Sequence, residues 1–162
     1  YFGVSPIFSS STFKDSMFTS WGYQATAGFD HSFMEGFGAR GYVSYARTTG
    51  NNTANTNTTF EKVSMNDFEL GVMGTFSGWA LGGGIMPRSS SFDYVNGQTT
   101  VSNSYSGMLK FAKASLDFTS QGGRVGFSIS ESYIFGNVGD TTVLKVTEFR
   151  TLLHIFYLLN LK

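Results

Sequence analysis

Residues 67–88, DFELGVMGTFSGWALGGGIMPR, decide the fold because their apolar side chains alternate with small or polar ones. Successive side chains of a β-strand point to opposite faces, so this period of two predicts two strands joined by a tight Ser77-Gly78 turn. The apolar face carries Phe68, Leu70, Val72 and Phe76 before the turn, and Trp79, Leu81 and Ile85 after it. The opposite face carries Asp67, Glu69 and Arg88. A soluble protein would bury the apolar face, whereas a membrane barrel would turn it outward.

The composition is unusual for a soluble domain. Charged residues make up 14% of the 162 residues and aromatic residues 17%, and there are 20 glycines; a soluble domain has about 25% charged residues. The length suits one domain, and we expect residues 1–162 to form it. Zero net charge gives no reason to expect a nucleic-acid partner. The lack of cysteine excludes a disulfide framework, and no apolar stretch is long enough for a transmembrane helix.

The same alternation recurs along the chain and predicts about eight strands. They are expected at roughly 2–10, 20–33, 37–46, 67–76, 79–88, 104–119, 124–135 and 145–161. The sixth keeps its phase only with one extra residue near Phe111 and Ala112, so we predict a β-bulge there. In the seventh, Glu131 falls on the apolar face. We expect a rim position or a second bulge to explain it, and a contact with a partner or neighbouring barrel is the alternative.

The connections between the strands alternate in length. Tight turns near 34–36, 77–78 and 120–123 alternate with longer polar segments at 10–16, 48–66, 89–103 and 136–142. This alternation puts both termini at the short-turn end, which is typical of an outer-membrane barrel. Because hydrocarbon tolerates no unpaired strand edge, the first and eighth strands are expected to join.

Two of the tight turns predict cross-strand partners. The Ser77-Gly78 turn sets Asp67 opposite Arg88, and a three-residue MEG turn, at 34–36, sets Asp30 opposite Arg40. Each pair joins opposite charges on the polar face, which stabilises an antiparallel pairing. The remainder of that face is mostly Gly, Ser, Thr and Ala, whereas a solvated face is usually rich in Lys and Glu. Small residues with a few paired charges indicate a narrow, filled lumen.

Aromatic residues on the apolar face are expected near the tight turns, as a girdle at one membrane interface. They are Trp21, Phe29, Phe33, Phe37, Phe76, Trp79 and Phe118. The alternative is a soluble lipocalin-like or sandwich protein that buries the apolar face. The long apolar faces and the composition of the polar face both favour the membrane barrel.

In strand number, alternation and loop asymmetry, the whole chain resembles the small eight-stranded outer-membrane proteins of the OmpA transmembrane-domain and OmpX type. The resemblance implies an all-β, up-and-down antiparallel barrel in the bacterial outer membrane, with short periplasmic turns and longer extracellular loops. It also implies an ion-pair network that closes the lumen, at Asp67, Glu69, Arg88, Lys113, Glu148 and Arg150. The terminal YLLNLK departs from the usual final aromatic residue. We expect this to reflect a trimmed domain, a following segment or a divergent assembly signal.

Few residues suggest chemistry. His154 lies in the inward phase, where Ser128 or Ser130 on the neighbouring strand could act as its nucleophile. A hydrogen-bonded lumen histidine is the favoured interpretation, and His31 fits a rim position. Two distant histidines make no metal site, and the glycines of GWALGGG open a strand and not a phosphate-binding helix. We therefore expect no catalytic residues, no metal and no cofactor.

The sequence thus predicts a non-enzymatic outer-membrane barrel that stabilises the envelope or presents loops at the surface. Its expected partners are outer-membrane lipids and lipopolysaccharide, and other envelope proteins through the loops. The Asn/Thr-rich segment at 48–64 is either a mobile tip or a recognition surface. A narrow pore or hydrophobic-molecule channel is the main alternative, and a lipid-modifying enzyme is a third.

Overall fold

The computed structural model of the chain is a closed barrel of eight antiparallel strands, each bonded to its neighbours in chain order. The structure describes residues 1–13, 16–53, 60–96, 99–119, 125–140 and 143–158. The strands are β1 (Phe2–Phe13), β2 (Ser16–Met34), β3 (Phe37–Asn52), β4 (Phe60–Phe76), β5 (Trp79–Asn96), β6 (Thr99–Thr119), β7 (Val125–Val138) and β8 (Leu144–Tyr157). β1 pairs with β8, so the ring has no open edge. The predicted fold class is confirmed. Within the described ranges no helix is long and apolar enough to cross a membrane.

The strands are staggered around the ring. Following paired residues from His31 on β2 through each successive strand leads back to β2 at Trp21, ten residues away from the start. A stagger of this size tilts the strands by roughly 40° and leaves an interior just wide enough for side chains to fill. The tilt also means that residues paired on neighbouring strands lie at different depths along the barrel axis.

The two faces of the strands confirm that apolar side chains point outward and charged side chains point into the barrel. Side chains alternate between buried and exposed along β1, β7 and β8. Val72 is 66% exposed on the outer face, whereas Arg150 is fully buried inside. Large apolar side chains therefore cover the outside, and charged groups lie within the barrel. A soluble domain would reverse these positions, so this arrangement suits a barrel wall in contact with lipid.

The first tight turn is shorter than predicted. Met34 pairs with Phe37, which leaves two residues in the turn, and a register shift between Ser32 and Met34 absorbs the remaining one. Gly36 adopts φ 78°, a left-handed conformation that glycine accepts without a steric cost. The predicted three-residue turn is wrong, yet the bulge restores the predicted partners farther along the strand. The third predicted turn, at 120–123, lies outside the described residues.

Most of the polar segments predicted as loops are strands. The β3–β4 hairpin continues to Asn52, and the β5–β6 hairpin continues to Asn96. The inward phase of these extensions carries apolar side chains such as Val63 and Phe92, which are fully buried. Strand pairing satisfies the backbone groups while these side chains fill the lumen, so two hairpins extend the barrel well beyond the lengths expected from alternation.

The predicted bulge in β6 is also absent. β6 pairs with β5 and β7 in unbroken register through Phe111 and Ala112. Phe111 is buried in the lumen and Ala112 is exposed on the outer face. The bulge was predicted because side chains that face the lumen were expected to be polar. In the structure, part of the lumen is lined by apolar side chains. No change of phase is needed to place Leu109 and Phe111 inside.

The Ser77-Gly78 turn provides a test of local strain. Ser77 has φ 43°, a left-handed conformation that costs an ordinary residue about 1–2 kcal/mol. Asparagine adopts it more readily, and Asn-Gly is the preferred pair for this turn. We expect Ser77→Asn to raise the free energy of unfolding by about 0.5–1 kcal/mol in urea titrations in detergent. Ser77→Ile is the matched control and should lower it, and an equal effect of both variants would contradict the strain argument.

Candidate functional site

The inward side chains change character along the barrel axis. From the loop end of β8 the inward residues are Leu144, Val146, Glu148, Arg150, Leu152, His154 and Phe156. On β4 the same order gives Val63 and Met65 before Asp67 and Glu69. At the end of the barrel that the extended hairpins form, a layer of apolar side chains therefore lies farther from the tight turns than a layer of charged side chains. β4 and β8 lie on opposite sides of the ring and share this order because both strands face the same lumen.

Arg88 lies opposite Asp67 on the neighbouring strand, as the turn register predicted. Its Nε is 2.7 Å from Asp67 Oδ1, and its Nη2 is 2.9 Å from Asp67 Oδ2. The remaining nitrogen, Nη1, donates to Glu148 Oε2 at 2.6 Å across the lumen. All three side chains are almost completely buried. Bidentate pairing of this kind fixes the guanidinium geometry and satisfies its buried donors.

Arg150 joins the three carboxylates of this layer. It donates to Asp67, to Glu69 Oε1 at 3.2 Å and to Glu148 Oε1 at 3.0 Å. Lys113 Nζ lies 3.8 Å from Glu69 Oε2. Three cationic side chains thus face three carboxylates, and burial is tolerable because each charge has a partner. We call these six residues the central ion-pair cluster: Asp67, Glu69, Arg88, Lys113, Glu148 and Arg150.

Two uncharged side chains extend the central cluster and were missed by the sequence reasoning. Gln24 Nε2 donates to Ser44 Oγ at 2.8 Å, and Ser44 Oγ donates to Glu69 Oε2 at 3.2 Å. Both are buried in the inward phase of β2 and β3. Their phase was visible in the sequence, but the contact with Glu69 depends on the width of the closed lumen.

The other predicted pair belongs to a separate layer near the tight turns. Arg40 Nε is 2.7 Å from Asp30 Oδ1, and Arg40 Nη1 is 2.6 Å from Asp117 Oδ2. We call these three residues the lower ion-pair cluster. The sequence identified Asp30 and Arg40 but missed Asp117, which β6 brings across the lumen. Among the described residues no hydrogen bond joins this cluster to the central one, so the eight predicted positions fall into two groups.

A group of buried apolar side chains fills the lumen at the extended-hairpin end. The rings of Phe13 and Phe92 lie 4.8 Å apart between centroids, and Phe18 lies 5.9 Å from Phe92. Tyr105 packs at 5.6 Å on the other side of Phe92. We call this the apolar plug, formed by Phe13, Phe18, Val63, Met65, Phe92, Leu109, Val138 and Val146. The sequence did not predict this layer, because Phe13, Val63, Met65 and Phe92 lie in polar segments that were expected to be loops.

The region between the two ion-pair clusters holds His154. Ser128 pairs with His154 across β7 and β8, but no hydrogen bond connects them among the described residues, and His154 Nε2 has no partner there. Its neighbours are the rings of Tyr1 and Phe156, at 6.4 and 5.8 Å. The adjoining cavity measures about 20 Å³, enough for about one water molecule. Ser128 and Ser130 line the same cavity, but among the described residues no hydrogen bonds link a serine, His154 and a carboxylate into the set that hydrolysis requires.

The aromatic residues of the outer face lie at two depths. Phe37 and Phe76 contact each other at 4.7 Å beside the tight turns, and Phe118 stacks on Phe127 at 5.9 Å. Trp21 does not belong with them. It pairs with Phe8 and Thr49 near the opposite end of β2.

The predicted position of Trp21 beside the tight turns is therefore wrong. β2 begins at Ser16 and runs for 19 residues, so Trp21 lies near the loop end of the strand. There it shares the upper region with residues such as Tyr133 and Phe149, which contact each other at 5.0 Å.

Glu131 is the one clear exception to the apolar exterior of β7. Its strand pairs with β6 and β8 in unbroken register, so the predicted second bulge is absent. Glu131 lies midway along β7 and not at a rim, exposed on the outer face. Thr151 Oγ1 donates to its Oε1 at 2.7 Å. The alternation correctly placed Glu131 on the outer face. The expectation that a bulge or a rim position would remove its charge from the apolar wall was wrong.

No protein-family model and no curated protein sequence matches this chain. Solved structures do resemble it. The attachment invasion locus protein Ail of Yersinia pestis, crystallised with the heparin analogue sucrose octasulfate, superposes with a TM-score of 0.55 at 12% identity, over 96% of this chain and 95% of Ail. A second Ail structure gives a TM-score of 0.50 at 12% identity, over the same shares. At this identity the likeness concerns the fold: the chain has the architecture of the small eight-stranded outer-membrane β-barrels.

Proposed function

We propose that this chain is a non-enzymatic barrel of the bacterial outer membrane, with a sealed lumen and two long hairpins presented at the cell surface. The observation that carries the proposal is the filling of the interior. The lower ion-pair cluster, the central ion-pair cluster and the apolar plug succeed one another along the axis. Apolar rings exclude water from a narrow lumen more strongly than paired charges do. The apolar plug is therefore the stronger barrier to water.

The outer face supports the proposed location. Apolar side chains between the aromatic residues would contact the acyl chains of outer-membrane lipids, and the aromatic residues would lie at the interfaces. Residues 1–162 would act as a single barrel domain. The hairpins beyond the upper aromatic residues would reach lipopolysaccharide and other envelope proteins, because they are the parts of the barrel that project farthest from the apolar belt.

The charge of the hairpin ends bears on the class of surface partner. The described residues there include three acids and two bases: Glu61, Asp93, Asp140, Lys62 and Lys145. A sulfated polysaccharide binds through clustered cationic groups. Among the described residues this near balance of charge provides no clustered cationic site for a sulfated polysaccharide such as the heparin analogue crystallised with Ail, and it favours contacts with uncharged hydrogen-bonding groups.

A sealed lumen predicts very low conductance in planar lipid bilayers. We expect the intact protein to give no steady openings, because ions would have to cross both ion-pair clusters and the apolar plug. A variant that combines Phe92→Ala, Arg150→Ala and Arg40→Ala removes one side chain from each of the three layers and should conduct, so it serves as the sensitive control. Folding of each preparation is checked by the gel shift that a folded barrel shows between unheated and boiled samples. Steady openings of the intact folded protein would favour the pore alternative.

A further inference from the structure

Glu131 lies near the middle of the predicted membrane span. Phe127 and Phe135 stand four residues to either side of it on the same outer face of β7. Four residues of a tilted strand rise about 10 Å along the barrel axis. The apolar band of such a barrel is about 25 Å tall. The carboxyl group is therefore surrounded by lipid-facing wall both above and below.

The carboxyl group of Glu131 is only half satisfied. Thr151 Oγ1 donates to Oε1, while Oε2 receives no hydrogen bond or ion pair from a described residue. An ionisable group in hydrocarbon is costly unless a partner is supplied. On a soluble protein, an exposed apolar patch marks an interaction surface. On a surface that faces lipid, an exposed polar group marks one in the same way. Glu131 thus requires a donor from outside this barrel.

A complementary charge lies on the same face of the barrel. Lys110 is on the adjacent strand β6, opposite Phe135, and points outward. No carboxylate among the described residues pairs with it. Its long stem can carry the ammonium group several ångströms along the apolar surface. One outward acid and one outward base therefore stand on neighbouring strands, with Lys110 nearer the hairpin end, and neither has an oppositely charged partner within the described barrel.

On the outer face of β6, the wall between these two charges carries only small side chains. Gly83, Ala112 and Ala114 occupy the outer face of β5 and β6 at this depth, next to Glu131. Tyr133 and Phe149 border the depression on the other side. Small residues let another membrane protein approach closely, so that a buried pair of charges can form out of contact with lipid.

We propose that this face is a two-fold interface between two copies of this chain in the membrane. A two-fold axis parallel to the barrel axis places Glu131 against Lys110 of the partner subunit, and the reverse pair forms by symmetry. The charges are self-complementary, which is the reason for choosing a second copy as the occupant. The inference rests on the proposed membrane location, and its test separates the two.

Arg47 offers the competing geometry. It points outward from β3, half a turn of the barrel away from β7. A pair between Glu131 and Arg47 of the partner subunit would join copies head to tail in an open row. Lys110 satisfies both copies within one closed dimer, whereas Arg47 leaves unpaired ends. Variants of these two cations therefore distinguish the two assemblies.

Intermolecular disulfides provide the first measurement. The chain has no cysteine, so a single introduced cysteine can form a disulfide only with another molecule. We expect Ala114→Cys, in the full chain reconstituted in phospholipid vesicles at low protein density, to give a dimer on oxidation. Val43→Cys, exposed on the outer face of β3, is the matched control and should remain monomeric. Equal crosslinking of both variants, or of neither, would overturn the proposal.

Charge variants in the Ala114→Cys background provide the second measurement. Glu131→Lys and Lys110→Glu should each raise the dimer dissociation constant about tenfold or more, and the double variant should recover most of the dimer. Arg47→Gln should have no effect. Loss of the dimer on Arg47→Gln, or no response to either single charge variant, would overturn the pairing. The gel shift on heating, retained by a folded monomer, shows whether a failure lies in dimerisation or in the barrel itself.

Discussion

Arg150→Ala should lower the free energy of unfolding by about 3–5 kcal/mol, the range measured when one partner of a buried ion pair is removed. Arg150 is fully buried and donates to Asp67, Glu69 and Glu148. Its removal leaves three carboxylates with two cations. The excess negative charge lies in a narrow lumen that water cannot easily reach, so repulsion and lost hydrogen bonds act together. Urea titration of the refolded protein in detergent, followed by gel mobility, measures the change.

Arg47→Gln is the matched control for Arg150→Ala. Arg47 is exposed on the outer face and forms no ion pair with a described residue. Its replacement should change the free energy of unfolding by well under 1 kcal/mol, as is usual for an exposed charge. If Arg150→Ala were no more destabilising than Arg47→Gln, the central ion-pair cluster could not be a main source of barrel stability.

Phe92→Ala should cost about 3–5 kcal/mol, because a large buried ring leaves a cavity that rigid strands cannot close. Phe92 is completely buried and packs on Phe13 and Phe18, from two other strands. The loss should be greatest for the extended hairpins. We expect amide hydrogen exchange to increase first in the parts of β5 and β6 beyond the central ion-pair cluster, with a smaller change near the tight turns.

Phe68→Ala is the matched control for the apolar plug. Phe68 is 49% exposed on the outer face, where acyl chains or detergent can fill the space that its ring leaves. Its replacement should therefore cost clearly less than that of Phe92. Equal losses for the two variants, with uniform hydrogen exchange along the barrel, would show that the plug does not stabilise the hairpins separately.

Local patterns were sufficient to predict the architecture. The period of two identified the strands, and the tight turns set Asp67 opposite Arg88 and Asp30 opposite Arg40. These features depend on residues close in sequence, since a hairpin turn fixes the register of its own two strands. The choice of outer face followed from composition, because a solvated face would have carried more Lys and Glu.

Contacts across the lumen could not be read in the same way. Asp117 reaches Arg40 and Glu148 reaches Arg88 only because a closed ring brings distant strands within a side chain's length. The apolar plug was hidden for a related reason: Ser- and Thr-rich segments are typical of loops until their pairing is known. The alternation indicates which side chains face the lumen, but it does not determine which residue lies across the lumen from each of them.

Depth in the membrane was likewise a property of the whole barrel. The sequence by itself determined eight strands, an apolar exterior, a lumen with paired charges and the partners within two of the hairpins. Only the tertiary structure placed Trp21 away from the tight turns and Glu131 midway along the outer wall. The physical reason is the stagger of ten residues around the ring, which sets the height of every side chain and arises from the closure of all eight strands together.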